Sequence, residues 1–208
     1  MSLKTLKAEP YELEFDPGTT ALIMIDMQRD FVEPGGFGEM LGNDVSLLRS
    51  AIEPCRRLLE AARKAGVFVV HTREGHRADL TDCPLAKRLR GGLECGIGDK
   101  GPMGRILVRG EYGHDIIPEL YPVAGEPVVD KPGKGAFFAT DLDLLLRNEA
   151  ALRLAEVITS MDALTADATE AEWTHALAAA EQVLRVVNAG EPVLGKFAAR
   201  RRRLVGLL

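Results

Sequence analysis

The chain has 208 residues, 46% of them hydrophobic, and a formal net charge of −5 at pH 7. That is enough apolar material for one well-buried domain, and the acidic balance does not suit nucleic acid as a partner. No apolar stretch approaches the ~20 residues a membrane-spanning helix needs, and the N-terminal MSLKTLKAEPYELEF has no signal-peptide core, so a cytoplasmic protein without membrane contact is expected.

Gly18 to Asp26 reads as the opening strand, with Leu22, Ile23, Met24 and Ile25 unbroken by polar residues. Such a run predicts burial on both faces, as in a parallel sheet flanked by helices. Residues 43 to 66 have helical spacing in Leu47, Leu48, Ala51, Ile52, Cys55, Leu58, Leu59 and Ala62, with Gly66 as a stop and Pro54 expected to kink the helix. Val67 to Val70 is the next buried strand, leading into His71, Thr72, Arg73 and Glu74.

Residues 75 to 125 are rich in Gly, Pro and charge, and a segment of that length and composition fits a cover over a site or a disordered stretch. Pro127 to Asp130 is a third buried strand. Thr140 and Asp143 have the N-cap and N3 spacing of a helix start, and residues 152 to 162, through Val157 and Ile158, read as a further strand. Thr169 to Glu172 has the form of a capping box for a last helix, and Arg200 to Arg203 reads as a solvated tail.

Two apolar runs end on opposite charges. ALIMIDMQRD stops at Asp26, and VVDKPGKGAFFATD stops at Lys131. Ligands of open α/β sheets bind beyond the carboxyl ends of the strands, so the two groups can converge despite their separation in sequence. A carboxylate beside a lysine should keep its charge and can take a proton from a nucleophile. The histidines His71, His76, His114 and His175 are scattered, and Cys55, Cys83 and Cys95 lack ligand spacing. Neither a metal site, a cofactor nor a disulfide framework is expected.

ALIMIDMQRDFVEPGG resembles the opening strand of the isochorismatase-like cysteine hydrolases, and VDKPGKGAFFATDLD resembles their lysine motif. HTREGHRADLTDCPLAKRLRGG, IGDKGPMGRILVRGEYGHDIIPEL and PVAGEPVVDKPGKGAF are most similar to the biuret and triuret hydrolase branch. The likeness covers about residues 10 to 148. It implies a single α/β domain over 1–208, three-layered with a mostly parallel sheet, in which residues ~149–208 diverge from the family.

In that family an Asp, a Lys and a Cys form the triad. The resemblance makes Asp26 the general base and Lys131 the polarising cation, with Phe31, Phe37 and Lys134 as pocket residues. The substrate implied is a small carbamoyl amide cleaved at its C–N bond, and the family's homo-oligomers set the expectation for assembly.

The nucleophile is where the chain departs. No cysteine lies beyond Cys95, and Leu164 or Thr165 stands where the family cysteine is expected. Two alternatives accompany the amidase reading: a cysteine-independent vinyl-ether hydrolase of the isochorismatase type, and a catalytically silent binding or assembly protein.

Overall fold

The computed structural model describes residues 3–88 and 95–162, together with Thr169 and Ala171. In chain order the strands and helices are β1 (Lys4–Leu6), β2 (Leu13–Phe15), β3 (Ala21–Ile25), α1 (Arg29–Val32), α2 (Phe37–Met40), α3 (Val45–Arg49), α4 (Ile52–Ala65), β4 (Phe68–Glu74), α5 (Leu85–Arg88), β5 (Lys100–Gly101), β6 (Gly104–Arg105), β7 (Val128–Lys131) and α6 (Leu142–Asp162). They fall into two compact units, one spanning Ala21–Leu142 and the other drawn from the flanking segments up to Thr20 and from Asp143 onward.

In the flanking unit, β1 and β2 pair antiparallel, with Lys4 opposite Phe15 and Leu6 opposite Leu13. The Asp16 carboxylate accepts from the Gly18 N–H and caps the turn that follows. The strand expected over 152–162 is instead the second half of α6. Val157 and Ile158 favour strands when taken alone, but they follow ALRLAE, a run of strong helix formers without a Gly or Pro to stop propagation. The expected capping box at Thr169 involves residues outside those described.

The central unit is organised by a three-stranded parallel sheet of order β3-β4-β7. Met24, Val32, Ile52, Leu59, Ala62, Val69, Ile116, Ile117 and Leu120 form its main core. The middle strand β4 is buried from Val69 to Thr72, whereas Ile25 at the end of β3 is 60% exposed. Burial on both faces therefore holds for β4 and fails for β3, which has a neighbour on one side only among the described residues.

The helix expected over 43–66 is broken in two, and the break precedes Pro54 instead of falling on it. Pro54 is the third residue of α4, inside the first turn, where the missing donor has no intrahelical partner to lose. Gly66 ends α4 at φ 70°, a left-handed position that costs a glycine nothing.

The irregular middle segment is packed against the sheet unit. Ile97, Ile106 and Leu107 join Phe37 and Cys83 in a second core cluster, while Ile116, Ile117 and Leu120 enter the first. Isolated bridges tie Gln28 to Ile116 and His76 to Val108.

Candidate active site

The register of the sheet sets the site. Ile25 lies opposite Thr72, and Glu74 lies opposite Lys131, so three parallel strands end side by side. Asp26 follows the last residue of β3 in a left-handed conformation, φ 52°, which Asp tolerates better than most side chains. Its N–H donates to the Thr72 carbonyl at 3.1 Å, and the Thr72 hydroxyl donates to Oδ1 at 2.7 Å. Thr72 thus fixes both the backbone and the carboxylate of Asp26.

The Lys131 Nζ meets Asp26 Oδ2 at 2.6 Å and donates to the Gly133 carbonyl at 2.9 Å. Its side chain is 1% exposed while that of Asp26 keeps 18%, so the carboxylate is the member of the pair that can meet a ligand. A lysine this deep is stable only because it is paired and hydrogen-bonded.

A second carboxylate completes the arrangement. Glu74 Oε2 lies 3.6 Å from Lys131 Nζ, and Oε1 lies 2.6 Å from Lys87 Nζ. Burial pushes Glu74 up, but the hydrogen bond and charge of Lys87, with the charge of Lys131, outweigh it and hold the carboxyl below its ordinary value. Lys87 also donates to the Pro132 carbonyl at 2.9 Å and to His76 Nε2 at 2.8 Å. His76 Nδ1 in turn lies 3.2 Å from Asp82 Oδ1.

Gln28 locks the floor of the site. Its amide nitrogen donates to the carbonyls of Glu74 and His114, at 3.0 and 2.8 Å, and its oxygen accepts from the Glu74 N–H at 2.7 Å. With no exposed surface, this side chain joins the ends of β3 and β4 to the middle segment.

Of the residues singled out in the sequence, Asp26 and Lys131 are brought together. Phe37 is buried in the second core cluster, and Phe31 packs against both clusters. Lys134 is exposed in the segment after β7. Leu164 and Thr165 lie outside the described residues. His71 is held by Glu126, 2.9 Å from its Nε2, and burial lowers the basicity of its ring.

The three thiols have other settings. Cys55 packs against the main core from α4. Cys83 is buried and burial pushes its thiol up, away from the reactive thiolate. Cys95 Sγ faces the Lys100 carbonyl at 3.7 Å. Among the described residues no group of three or more His, Cys, Asp or Glu is arranged to hold a metal ion.

Thr72 and Glu74 belong to the segment after His71, which the sequence places at a strand end with Asp26 and Lys131, whereas Lys87 and Gln28 were not foreseen. Glu74 carried a usable signal: it ends the strand that the apolar run Val67 to Val70 opens. The model of the isochorismatase domain matches residues 20–155, about two thirds of the chain and all of the site just described.

The chain belongs to the isochorismatase-like family. Its relatives include the ureidoacrylate amidohydrolase RutB of Serratia proteamaculans (strain 568), 34% identical over 155 residues, the match covering 69% of this chain and 60% of that protein. Among solved structures, a cysteine hydrolase from Pseudomonas syringae pv. phaseolicola 1448A matches with a TM-score of 0.51 and 28% identity, over 72% of this chain and 61% of the other. This family member thus spans about three fifths of the length of the relatives it matches. Over the part they share it has an α/β fold in which a parallel sheet is flanked by helices, and the ends of that sheet carry its acid and its lysine.

Proposed function

We propose that the site hydrolyses the C–N bond of small carbamoyl amides of the biuret or triuret type. The observation that carries this reading is the Asp26–Lys131 contact of 2.6 Å at the mouth of a site whose lysine is fully buried. Asp26 keeps 18% of its side chain exposed beside that lysine, and a reachable carboxylate is what a general base needs. The kinship with a protein named an amidohydrolase and the branch-like motifs of the middle segment support an amide as the scissile group.

In this reading water adds to the carbamoyl carbon as Asp26 takes its proton. The C–N bond then breaks, the proton passes to the leaving nitrogen, and ammonia and the carboxylic acid depart. Water is assigned the attack because Cys55 and Cys83 are packed in the two core clusters and Cys95 Sγ faces the Lys100 carbonyl. Thr72 holds Asp26 in place throughout, and Lys131 balances its charge before the proton arrives.

A second reading, hydrolysis of a vinyl ether, draws on Asp26 and Lys131 alone. There Asp26 would deliver a proton to the enol ether and no covalent adduct is needed. The kinship with a protein named an amidohydrolase ranks this second.

The test is ammonia release from a panel of biuret, triuret and related amides, with isochorismate turnover in parallel and Asp26→Asn as control. Ammonia release abolished by Asp26→Asn supports the amidase. Turnover of isochorismate alone replaces it with the ether reading. No turnover of either, with a thermal shift by biuret, makes the site a binding site and overturns both.

A further inference from the structure

The hydrolase reading uses Asp26 and Lys131 and leaves Lys87 and His76 without a role, although both sit against Glu74. A lysine ammonium has three N–H donors and no lone pair. Those of Lys87 meet three acceptors: Glu74 Oε1 at 2.6 Å, the Pro132 carbonyl at 2.9 Å and His76 Nε2 at 2.8 Å. The cation is therefore saturated and has no donor left for a ligand. Its effect is on its partners: it fixes the Glu74 carboxylate, and through Pro132 it fixes the backbone next to Lys131.

That geometry dictates the state of His76. Because Lys87 can only donate, Nε2 has to present a lone pair, and the ring proton resides on Nδ1, 3.2 Å from Asp82 Oδ1. The charged groups facing the ring are Lys87 from α5, Asp82 from the loop before it and Glu74 from β4, with Arg109 3.4 Å from the second Asp82 oxygen. The ring has no exposed surface, and the backbone of His76 is pinned to Leu107 and Arg109. Burial, followed by the charge of Lys87, disfavours a protonated ring. A proton on Nε2 would set two cations 2.8 Å apart and expel Lys87 from its socket.

We infer that Lys87 is a positioning residue of the site, holding Glu74 against Lys131, and that it does so only while His76 is the neutral tautomer with its proton on Nδ1. Asp26, Lys131, Glu74 and Lys87 then form a chain of alternating charge, with His76 and Asp82 as its anchor. The role as a positioning residue rests on the reading of Asp26 and Lys131 as the hydrolytic pair, but the chain itself can be tested without turnover.

The experiment is NMR of the side chains in the full chain. The His76 ring nitrogens are read at neutral pH, and the ammonium groups of Lys87 and Lys131 are followed as slowly exchanging signals, assigned by Lys87→Met and Lys131→Met. The expected result is an Nδ1–H tautomer for His76, and a Lys131 signal that shifts and exchanges faster in Lys87→Met. In His76→Gln, whose amide oxygen can accept from Lys87 and cannot titrate, both signals persist to low pH. In the parent protein that of Lys87 is lost as His76 protonates.

An Nε2–H ring, or a Lys131 signal unmoved by Lys87→Met, overturns the inference. Should Lys87→Met fail to fold, the His76 tautomer and the pH response of His76→Gln still decide. Ammonia release by the parent protein separately reports on the hydrolase reading, so failure of one is not mistaken for failure of the other.

Discussion

Replacing His114 by Gln should flatten the acid side of the stability profile. The His114 ring has no exposed surface, neither of its nitrogens has a hydrogen-bond partner among the described residues, and Asp130 Oδ1 stands off at 3.6 Å from Nε2. Burial, followed by the nearby Arg73 charge, lowers its pKa from 6.5 to about 4. The folded value lies below the unfolded one, so on acidification the unfolded chain takes up the proton first. Stability is intact above the unfolded pKa and is drained as pH falls from 6.5 toward about 4.

At about 1.4 kcal/mol per pH unit the complete loss is about 3 kcal/mol, and roughly 2 kcal/mol of it falls above pH 5. Urea denaturation of the parent and of His114→Gln at several pH values between neutrality and pH 5 measures it. Their stability difference should change by about 2 kcal/mol over that range, in favour of the variant at the acid end. His71, His76 and Glu126 titrate in both proteins, and the stability from Glu126, which Arg63 and the Val123 N–H hold down to about 2 despite its burial, is lost only as pH falls below its ordinary value. Parallel curves for the two proteins would refute the assignment of acid sensitivity to this ring.

Three other substitutions or reactions follow from the same geometry. Lys131→Met leaves the Asp26 and Glu74 carboxylates without their buried cation and should cost about 3–5 kcal/mol in denaturant unfolding; adding Asp26→Asn should recover part of that loss, and strict additivity would speak against the pair. A Cβ on Gly75 would collide with the His114 ring at Nε2, so Gly75→Ala should lower stability by about 1–3 kcal/mol, and by much less in a His114→Ala background when both are compared by thermal unfolding. In the folded chain Cys83, buried and with its thiol pushed up by burial, should react with a disulfide reagent well behind Cys95, and equal rates would contradict its placement.

The acid and the lysine were legible because each ends an apolar run abruptly, and a strand terminus is where a parallel sheet exposes chemistry. The strands β4 and β7 were legible for the same reason. Lys87 and Gln28 were not, because each owes its importance to partners that only the folded chain supplies. Gln28 joins Glu74 and His114, and Lys87 gathers three acceptors from Glu74 at the end of β4, His76 two residues beyond it and Pro132 just after β7. The strand expected over 152–162 failed through local competition: the β-branched Val157, Ile158 and Thr159 could not interrupt a helix already propagating from Leu142. The openness of β3 was hidden as well, since an apolar run records what a strand could bury and not how many neighbours it has.

The order of the strands along the chain has a consequence for synthesis. During translation β3 and β4 emerge first and bring Asp26 and Glu74, two carboxylates of like charge, toward the same end of the sheet. Their shared cation arrives only with β7, the third strand of that sheet in chain order among the described residues. A ribosome-bound chain lacking β7 would hold the acids of the site without the lysine that reconciles them, so docking of that strand both extends the sheet and licenses the charge already in place.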